Sequence, residues 1–533
     1  MRKIRFEPCR MTLVLATCLC AFLLVTSGCV PLPGLEVFNA YMNKKLEIKQ
    51  NVTDIQDGLR SADTDYFIGL ALSGGGSRAA NFGSAVLWEL DRLGILQHVQ
   101  YISTVSGGSL AGAYYVTFRD DPLKWNKQNL QQVMSQSFES WSVVYGLNPL
   151  HWPQYLGTSY NRSHLLEEVF SRRVFENKTF GDLRNGRPTL LLNATNYRTG
   201  ERFVFSNYSF NTIRSDLGAL PISVGVTASA AFPGIFSVVT LKDFSGKGDS
   251  IWLDMFAPLL KHTNSDGDYF HFFDGGVSDN LGVDTLIDTF TRSRPFSRGC
   301  LLILVDASVP YEAISKSKEL NPRHFWDALI DTNALNATSI LMQSKRHQQL
   351  KAIGFDEAHA YNYEYWKWIS SELQQLEDVW RKTEAPEDLE AFKRAYGAAG
   401  PLAKSFSPTN ELGMPLNFLK DAILTRMGLM DSPEVKTSNC NIWHIALNDL
   451  VFRDSSLRSL YTKDYSARNE KKLNIPFTVF QGQVGGIATR FKISDSEVRS
   501  LYMAADLIVN ETNSKNTICR WLKDITGQRC TIP

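Results

Sequence analysis

Residues 66–96 read YFIGLALSGGGSRAANFGSAVLWELDRLGIL, and residues 99–118 continue VQYISTVSGGSLAGAYYVTF. FIGLAL is a short apolar run closed by three glycines, the pattern of a buried strand that ends in a turn. From Ala80 onward, Phe82, Val86, Leu90 and Leu93 recur at helical spacing, and Gly94 supplies a stop. VQYISTV repeats the strand pattern, and GGSLAGAYYVTF opens a second helix. Strand, glycines, helix, strand, sharp turn, helix predicts an α/β fold on a parallel sheet. Parallel neighbours bring their C-terminal ends to one edge, where open α/β sheets hold their sites. The two glycine-rich turns are therefore the first candidates for chemistry.

Further strands are expected at TLLLNAT (189–195), RFVFS (202–206), YFHFFDGG (269–276) and CLLILVDAS (300–308). The polar stretch 241–268 reads as a hairpin or loop insertion, and 323–347 and the highly charged 364–396 read as helical. NIWHIALNDL (441–450) and DSEVRSLYMAADLIVNE (495–511) look like a last strand and helix returning to the sheet. At 533 residues the chain exceeds one ordinary core, so one elaborated domain or two or three smaller ones are expected. Hydrophobic residues at 44% and charged residues at 21% are an ordinary globular balance rather than that of a disordered chain. A formal charge of +1 gives no reason to expect a nucleic-acid partner.

The N-terminus reads as an address rather than as fold. MRKIRFEPCR carries four basic residues and one acid, MTLVLATCLCAFLLV is mostly apolar, and TSGC follows at 26–29. That is the layout of an export signal, and its apolar run is shorter than the roughly 20 residues of a membrane span. Small residues before Cys29 resemble a bacterial lipobox, with Thr26 where the pattern prefers Leu. The resemblance implies a diacylated Cys29, a cell-envelope location and, because Val30 rather than Asp follows, the outer membrane over the inner. Simple cleavage nearby or an uncleaved anchor is the alternative. Removing residues 1–28 takes away those four basic groups and one acid, so the formal charge passes from +1 to −2. Five cysteines then remain: Cys29, Cys300, Cys440, Cys519 and Cys530. An exported protein can form disulfides, and four thiols allow three complete pairings. Cys519 and Cys530 are separated by ten residues that include Gly527 and are expected to pair, while Cys300 opens an apolar strand and reads as a free core thiol. No Cys/His spacing suits zinc, so neither a metal site nor a cofactor is expected.

Three glycines between a strand and a helix let backbone N–H groups cradle an anion. A phosphate-binding P-loop needs Gly-Lys-Ser/Thr, which is absent. Gly74-x-Gly76-x-x-Ala79 satisfies a loose dinucleotide fingerprint, but Glu89 and Asp91 lie within the helix and no acid ends the second strand. The remaining reading is an oxyanion hole made by Gly74, Gly75 and Gly76. It gains force from Ser106, which sits at the next strand end as Thr104-Val105-Ser106-Gly107-Gly108. Small residues flank a nucleophile on such an elbow, although an ordinary Gly/Ser turn would look similar. A serine needs a base. His98, His164, His324 and His347 lie in helix-like surroundings, whereas Asp274 ends an apolar run before Gly275 and Gly276.

In this order GGGSRAA, VSGGS and DGGVSDN resemble the patatin-like phospholipase family, as do ASAAFPGIF (228–236) and NATNYRTGERFVFS (193–206). The resemblance implies a three-layer α/β sandwich on a mainly parallel central sheet, with a helical insertion. The organisation expected is a lipoprotein signal peptide (1–28), a tether (29–65) and a patatin-like catalytic domain (66–345). A mainly helical insertion (346–437) would follow, and a C-terminal strand and helix (438–533) would complete the domain. It further implies a lipid acyl hydrolase of phospholipase A or lysophospholipase type, acting on membrane phospholipids or other lipid esters. Ser106 would be the nucleophile and Asp274 the base, with the glycines as oxyanion donors and Arg78 and Gly107 in support. A patatin-fold lipoprotein that binds lipid or a partner protein without turnover is the alternative. Thr104 departs from the family's more usual glycine and implies a less sharp elbow. Trp125, Trp141, Tyr145, Trp152, Tyr155 and Tyr160 crowd one stretch, which suits either an interfacial surface over the site or packing.

Overall fold

The computed structural model describes residues 43–46, 65–146, 160–183, 188–245, 269–292, 298–309, 332–352, 440–451, 473, 475–487, 489 and 492–531. The strands are β1 (Phe67–Leu72), β2 (Tyr101–Val105), β3 (Thr189–Asn196), β4 (Arg202–Phe205), β5 (Val239–Lys242), β6 (Tyr269–Asp274), β7 (Cys300–Asp306) and β8 (Cys440–Ala446). Helices that matter below are α1 (Gly76–Arg92), α2 (Gly107–Phe118), α3 (Ile222–Ala230), α4 (Val283–Arg292), α5 (Thr332–Ala352) and α6 (Asp495–Val509). Hydrogen bonds link the strands in the order β5-β6-β3-β2-β1-β7-β8, with β4 on β3. From β3 to β8 the pairs are parallel, and β4, β6 and β5 add antiparallel pairs.

Alternation along the central strands explains the layers. Ile68, Leu70 and Leu72 of β1 face one core with Phe82, Val86 and Leu90 of α1, Tyr114 of α2 and Leu501 of α6. Phe67 and Ala71 point the other way, to Leu286 of α4 and Leu350 of α5. In β7, Leu301 and Ile303 take the first side, and Leu302 and Leu304 the second. A strand buried on both faces reads as an unbroken apolar run, which is why FIGLAL and CLLILV lack alternation. Each such side chain, once buried, contributes roughly 1.5–3 kcal/mol. The α/β fold expected from the sequence is thus present, a mostly parallel mixed sheet flanked by helices.

One register sets up everything that follows. On β3, Thr189–Asn193 pair with β2, Leu192–Thr195 pair with β4, and Ala194–Asn196 pair with β6. A strand has two edges, and residues paired twice use both. Leu192 and Asn193 put β2 opposite β4, and Ala194 and Thr195 put β6 opposite β4, so β2 and β6 share one edge end to end. Val105 is the partner of Asn193, and Asp274 is the partner of the next residue, Ala194. The turn after β2 and the last residue of β6 therefore meet.

Several expectations change. Helix α1 starts at Gly76, not Ala80, because its first turn carries small residues that apolar periodicity does not register. The segment expected to be a tether is docked at Asn43, which is buried. Its Nδ2 donates to Ser215 Oγ and to the Lys242 carbonyl (both 2.9 Å), and its Oδ1 accepts the Lys242 N–H at 2.8 Å. Helix α5 runs across the boundary expected at 345/346, and Arg346 and Gln349 reach Asp306 and Asp279. Cys519 and Cys530 form a disulfide. Cys300 is disulfide-bonded as well, which corrects its reading as a free thiol. The signal peptide, Cys29, the rest of the insertion (353–437), His324, Trp152 and Tyr155 lie outside the described residues.

Of the crowded aromatics, Trp125 is packed inward at 7% exposure, edge-on to Tyr115, with its Nε1–H donated to Asp91 at 2.9 Å. Trp141 and Tyr145 are half-buried against the same core, and the Arg173 guanidinium stacks 3.3 Å over the Trp141 ring. Tyr160 packs on His164. For Trp125 the packing alternative holds, and the interfacial one is withdrawn.

Candidate active site

Ser106 is the single residue between β2 and α2, and its backbone sits at φ 50, ψ −121. A side chain in that region stores about 1–3 kcal/mol of strain and persists only where its surroundings impose it. Here three hydroxyls impose it. The Ser106 N–H donates to Ser229 Oγ of α3 at 2.9 Å. Ser229 Oγ pairs with Ser109 Oγ at 2.8 Å, and Ser109 Oγ with Thr104 Oγ1 at 3.0 Å. Thr104 thus has a task, since it closes the hydroxyl chain that pins the elbow. Room for its methyl comes from Gly112 of α2, where an added Cβ would lie 2.5 Å from Thr104 Cγ2. The small residue expected on the strand is supplied by the facing helix, and the positive φ of Ser106 shows a sharp elbow despite Thr104.

Ser106 Oγ–H donates to Asp274 Oδ2 at 2.8 Å. The other carboxylate oxygen accepts the Gly276 N–H at 2.8 Å. Asp274 is held from behind as well: its N–H donates to the Ala231 carbonyl at 3.0 Å, and its carbonyl accepts Thr195 Oγ1–H at 2.8 Å. The carboxylate is only 2% exposed, and desolvation pushes its pKa up to about 6 against the lowering effect of the Gly276 and Ser106 hydrogen bonds. No histidine is among the hydrogen-bond partners of Ser106 or Asp274. Of those weighed in the sequence, His98 is buried in a 3-10 turn, His164 closes a helix capping box, and His347 lies on α5.

The glycine loop lies against this pair. A Cβ on Gly74 would stand 3.5 Å from Ser106 Cβ, and one on Gly107 would lie 2.8 Å from the Gly76 carbonyl carbon. Gly75 (φ 141) caps α1 without any side-chain cap, leaving the first N–H groups of a 17-residue helix at the loop. The N–H groups of Gly75 and Gly76 have no acceptor among the described residues. Gly74 departs from expectation, because its N–H is engaged by the Asn280 carbonyl at 3.0 Å and does not point a donor at the serine. Backbone donors for an oxyanion therefore narrow to Gly75 and Gly76. Arg78 is buried behind the loop, where its Nη1 donates to the Ile487 carbonyl at 2.8 Å and burial lowers its pKa to about 10.

Two buried acids brace the loops around the site. Asp306, at the end of β7, would be raised by burial, but Arg346 and His444 hold it well below the usual carboxylate range. Asp279 accepts the Gly282 and Thr285 N–H groups and the Gln349 amide, which ties the chain after Asp274 to α4 and α5. Among the described residues no cluster of His, Cys, Asp and Glu could hold a metal ion. Sequence reasoning missed Ser229 and Asn280, although both lie in stretches it singled out, ASAAFPGIF and DGGVSDN. Nothing local marks which serine of a small-residue helix faces an elbow.

No curated protein matches the chain in sequence. Among solved structures, human GIVD cytosolic phospholipase A2 in complex with methyl gamma-linolenyl fluorophosphonate inhibitor and terbium chloride is 11% identical, with a TM-score of 0.38. That match covers 89% of this chain and 63% of the other, so this chain spans less than two thirds of that protein's length. VipD from Legionella pneumophila is 13% identical with a TM-score of 0.21, over 83% of this chain and 91% of that one. Within the chain, residues 70–287, which hold Gly74–Gly76, Ser106 and Asp274, match the model of the patatin-like phospholipase family, and the helix-flanked, mostly parallel sheet is the patatin fold.

Proposed function

We propose that the protein is a serine acyl hydrolase that cleaves carboxylic esters of membrane lipids through a Ser106–Asp274 dyad. The observation that carries this reading is the 2.8 Å hydrogen bond from a strained Ser106 to a buried Asp274, beneath a glycine loop with two unpaired N–H groups. The family match supports the lipid class. Ser106 Oγ attacks the ester carbonyl as its proton passes to Asp274 Oδ2. The tetrahedral oxyanion receives the N–H groups of Gly75 and Gly76 beside the positive end of α1. Asp274 returns the proton to the departing alcohol, and the acyl group stays on Ser106. Water then attacks the acyl-enzyme with Asp274 again as base, which frees the fatty acid and restores the hydroxyl.

A carboxylate of ordinary pKa is a weak base for a hydroxyl, and desolvation lifts Asp274 toward the operating pH. The sign of the pH dependence follows: the base works only when ionised. With a short soluble ester, kcat/KM is expected to be flat above about pH 7 and to fall toward tenfold per unit below about 6. A profile that stays flat down to pH 5 would remove Asp274 from the role of base.

The direct test is incubation with phospholipid vesicles and with a fluorophosphonate probe. Free fatty acid and lysophospholipid are expected as products, with the probe on Ser106 alone. Labelling that persists in Ser106→Ala would sink the assignment, and binding of vesicles without any product would favour the non-catalytic lipid-binding reading. Export and diacylation at Cys29, with outer-membrane retention, belong to the same proposal, supported by the basic, apolar and TSGC segments. Palmitate labelling that survives Cys29→Ala would contradict it.

A further inference from the structure

We propose that the side-chain carboxamide of Asn280 is the third donor to the oxyanion, taking the place that the Gly74 N–H does not fill. The inference rests on the acyl-hydrolase reading. Its first ground is position. A Cβ on Gly74 would lie 2.5 Å from Asn280 Oδ1 and 3.5 Å from Ser106 Cβ. A Cβ on Gly276 would lie 2.7 Å from the same Oδ1 and 3.1 Å from Asp274 Oδ1. The Asn280 Oδ1 is thus wedged between Gly74 and Gly276, the two glycines that adjoin Ser106 and the Asp274 carboxylate.

The second ground is bonding. Asn280 is 8% exposed, yet its carboxamide has no hydrogen-bond partner among the described residues. Neither polar atom of this carboxamide is among the fully enclosed unpaired ones, so the group opens to the solvent side of the site, where a ligand oxygen can meet it. Its neighbours are fully engaged by contrast: Asp279 binds Gly282, Thr285 and Gln349, and the Asn280 carbonyl binds Gly74. Those bonds fix the backbone and leave the side chain to present its amide. A half-turn of the carboxamide exchanges oxygen and NH2 at the same place, so a donor is available there without any backbone movement.

The third ground is the chemistry required. A developing alkoxide is stabilised by preorganised donors, and Gly75 and Gly76 come from consecutive residues of one turn. A donor from the opposite loop completes a convergent set, and an amide is suited to this because it donates without titrating.

The test is steady-state kinetics of Asn280→Ala and Asn280→Asp on a short soluble ester, with thermal melts. Asn280→Ala keeps the backbone carbonyl that binds Gly74, so the loop should stay in place. Its kcat is expected to fall about 10²–10³-fold, the loss typical of one oxyanion donor, with KM within about threefold and Tm nearly unchanged. Asn280→Asp sets a second carboxylate beside Asp274, and it should move the acid limb of the kcat/KM profile to higher pH. A kcat for Asn280→Ala within about threefold of wild type, a loss confined to KM, or an unmoved acid limb in Asn280→Asp overturns the donor role while leaving the hydrolase reading intact. A wild-type protein inert on every ester removes the hydrolase reading itself, and the donor role with it.

Discussion

Replacing Asp274 by Asn is expected to stop turnover and leave a folded, more heat-resistant protein. The amide has the shape of the carboxylate but cannot accept the Ser106 proton, so kcat/KM should fall about 10⁴-fold, as in Ser106→Ala. Because the two residues act as one unit, the double variant should be little worse than either single one. The stability effect has a definite sign. Burial raises the folded-state pKa of Asp274 from 3.8 to about 6, so in that window the folded protein holds the proton more tightly than the unfolded chain. This contribution is present below about pH 4 and is lost as the pH rises through 6; above it, a buried charge is a burden. Asn removes the burden. A shift of about two units corresponds to at most about 3 kcal/mol, part of it offset by weaker bonds to Ser106 Oγ–H and the Gly276 N–H. Melts should therefore show Asp274→Asn several degrees above wild type at pH 7.5 and level with it near pH 4. Retained turnover, or a variant less stable than wild type at pH 7.5, would contradict the account.

Gly107→Ala is expected to be the most damaging conservative change near the site. The added methyl would lie 2.8 Å from the Gly76 carbonyl carbon, 3.1 Å from Gly76 Cα and closer still to the carbonyl oxygen. All three are backbone atoms, so no rotamer change relieves the contact. Either the elbow or the glycine loop must move, and the nucleophile and the donors lose their alignment. Misplacement by about 1 Å costs on the order of 10²-fold in rate, and overpacking of this kind costs about 1–3 kcal/mol of stability. Activity loss above 10²-fold with a lowered Tm is the expected result. Gly482→Ala is the control: nothing lies within 4 Å of its added Cβ, and it sits inside the helix Phe477–Gly485. Alanine there should be neutral or stabilising by up to about 1 kcal/mol. If Gly107→Ala behaves like this control, close packing of elbow on loop is not what aligns the site.

The strands and the two turns were legible because their causes are local. FIGLAL coincides with β1, and VQYISTV and CLLILVDAS contain β2 and β7, since a strand buried on both faces is mostly apolar, with Ser103, Thr104 and Asp306 as the buried polar exceptions. Glycines at 74–76 and 107–108 announce turns that side chains would block. Cys300 shows the limit: an apolar neighbourhood says that a thiol is buried, not whether another thiol lies within bonding reach. Asn43 shows it again, for a polar segment looks like a tether until its amide is seen bonded to Lys242 and Ser215.

The sequence by itself determined the α/β class, the order of the elements and the residue types able to act, because those follow from hydrophobic period and turn chemistry along a few residues. Only the tertiary structure decided that Ser106 and Asp274 meet across 168 positions of chain. That meeting depends on β2 and β6 sharing one edge of β3 in consecutive registers, a matter of long-range hydrogen bonds that no local pattern encodes. The same long-range pairing turned the Gly74 N–H toward Asn280 and set Ser229 under the elbow. A donor or hydroxyl is recognisable in a sequence, but its partner is chosen by which distant strand ends the fold brings together.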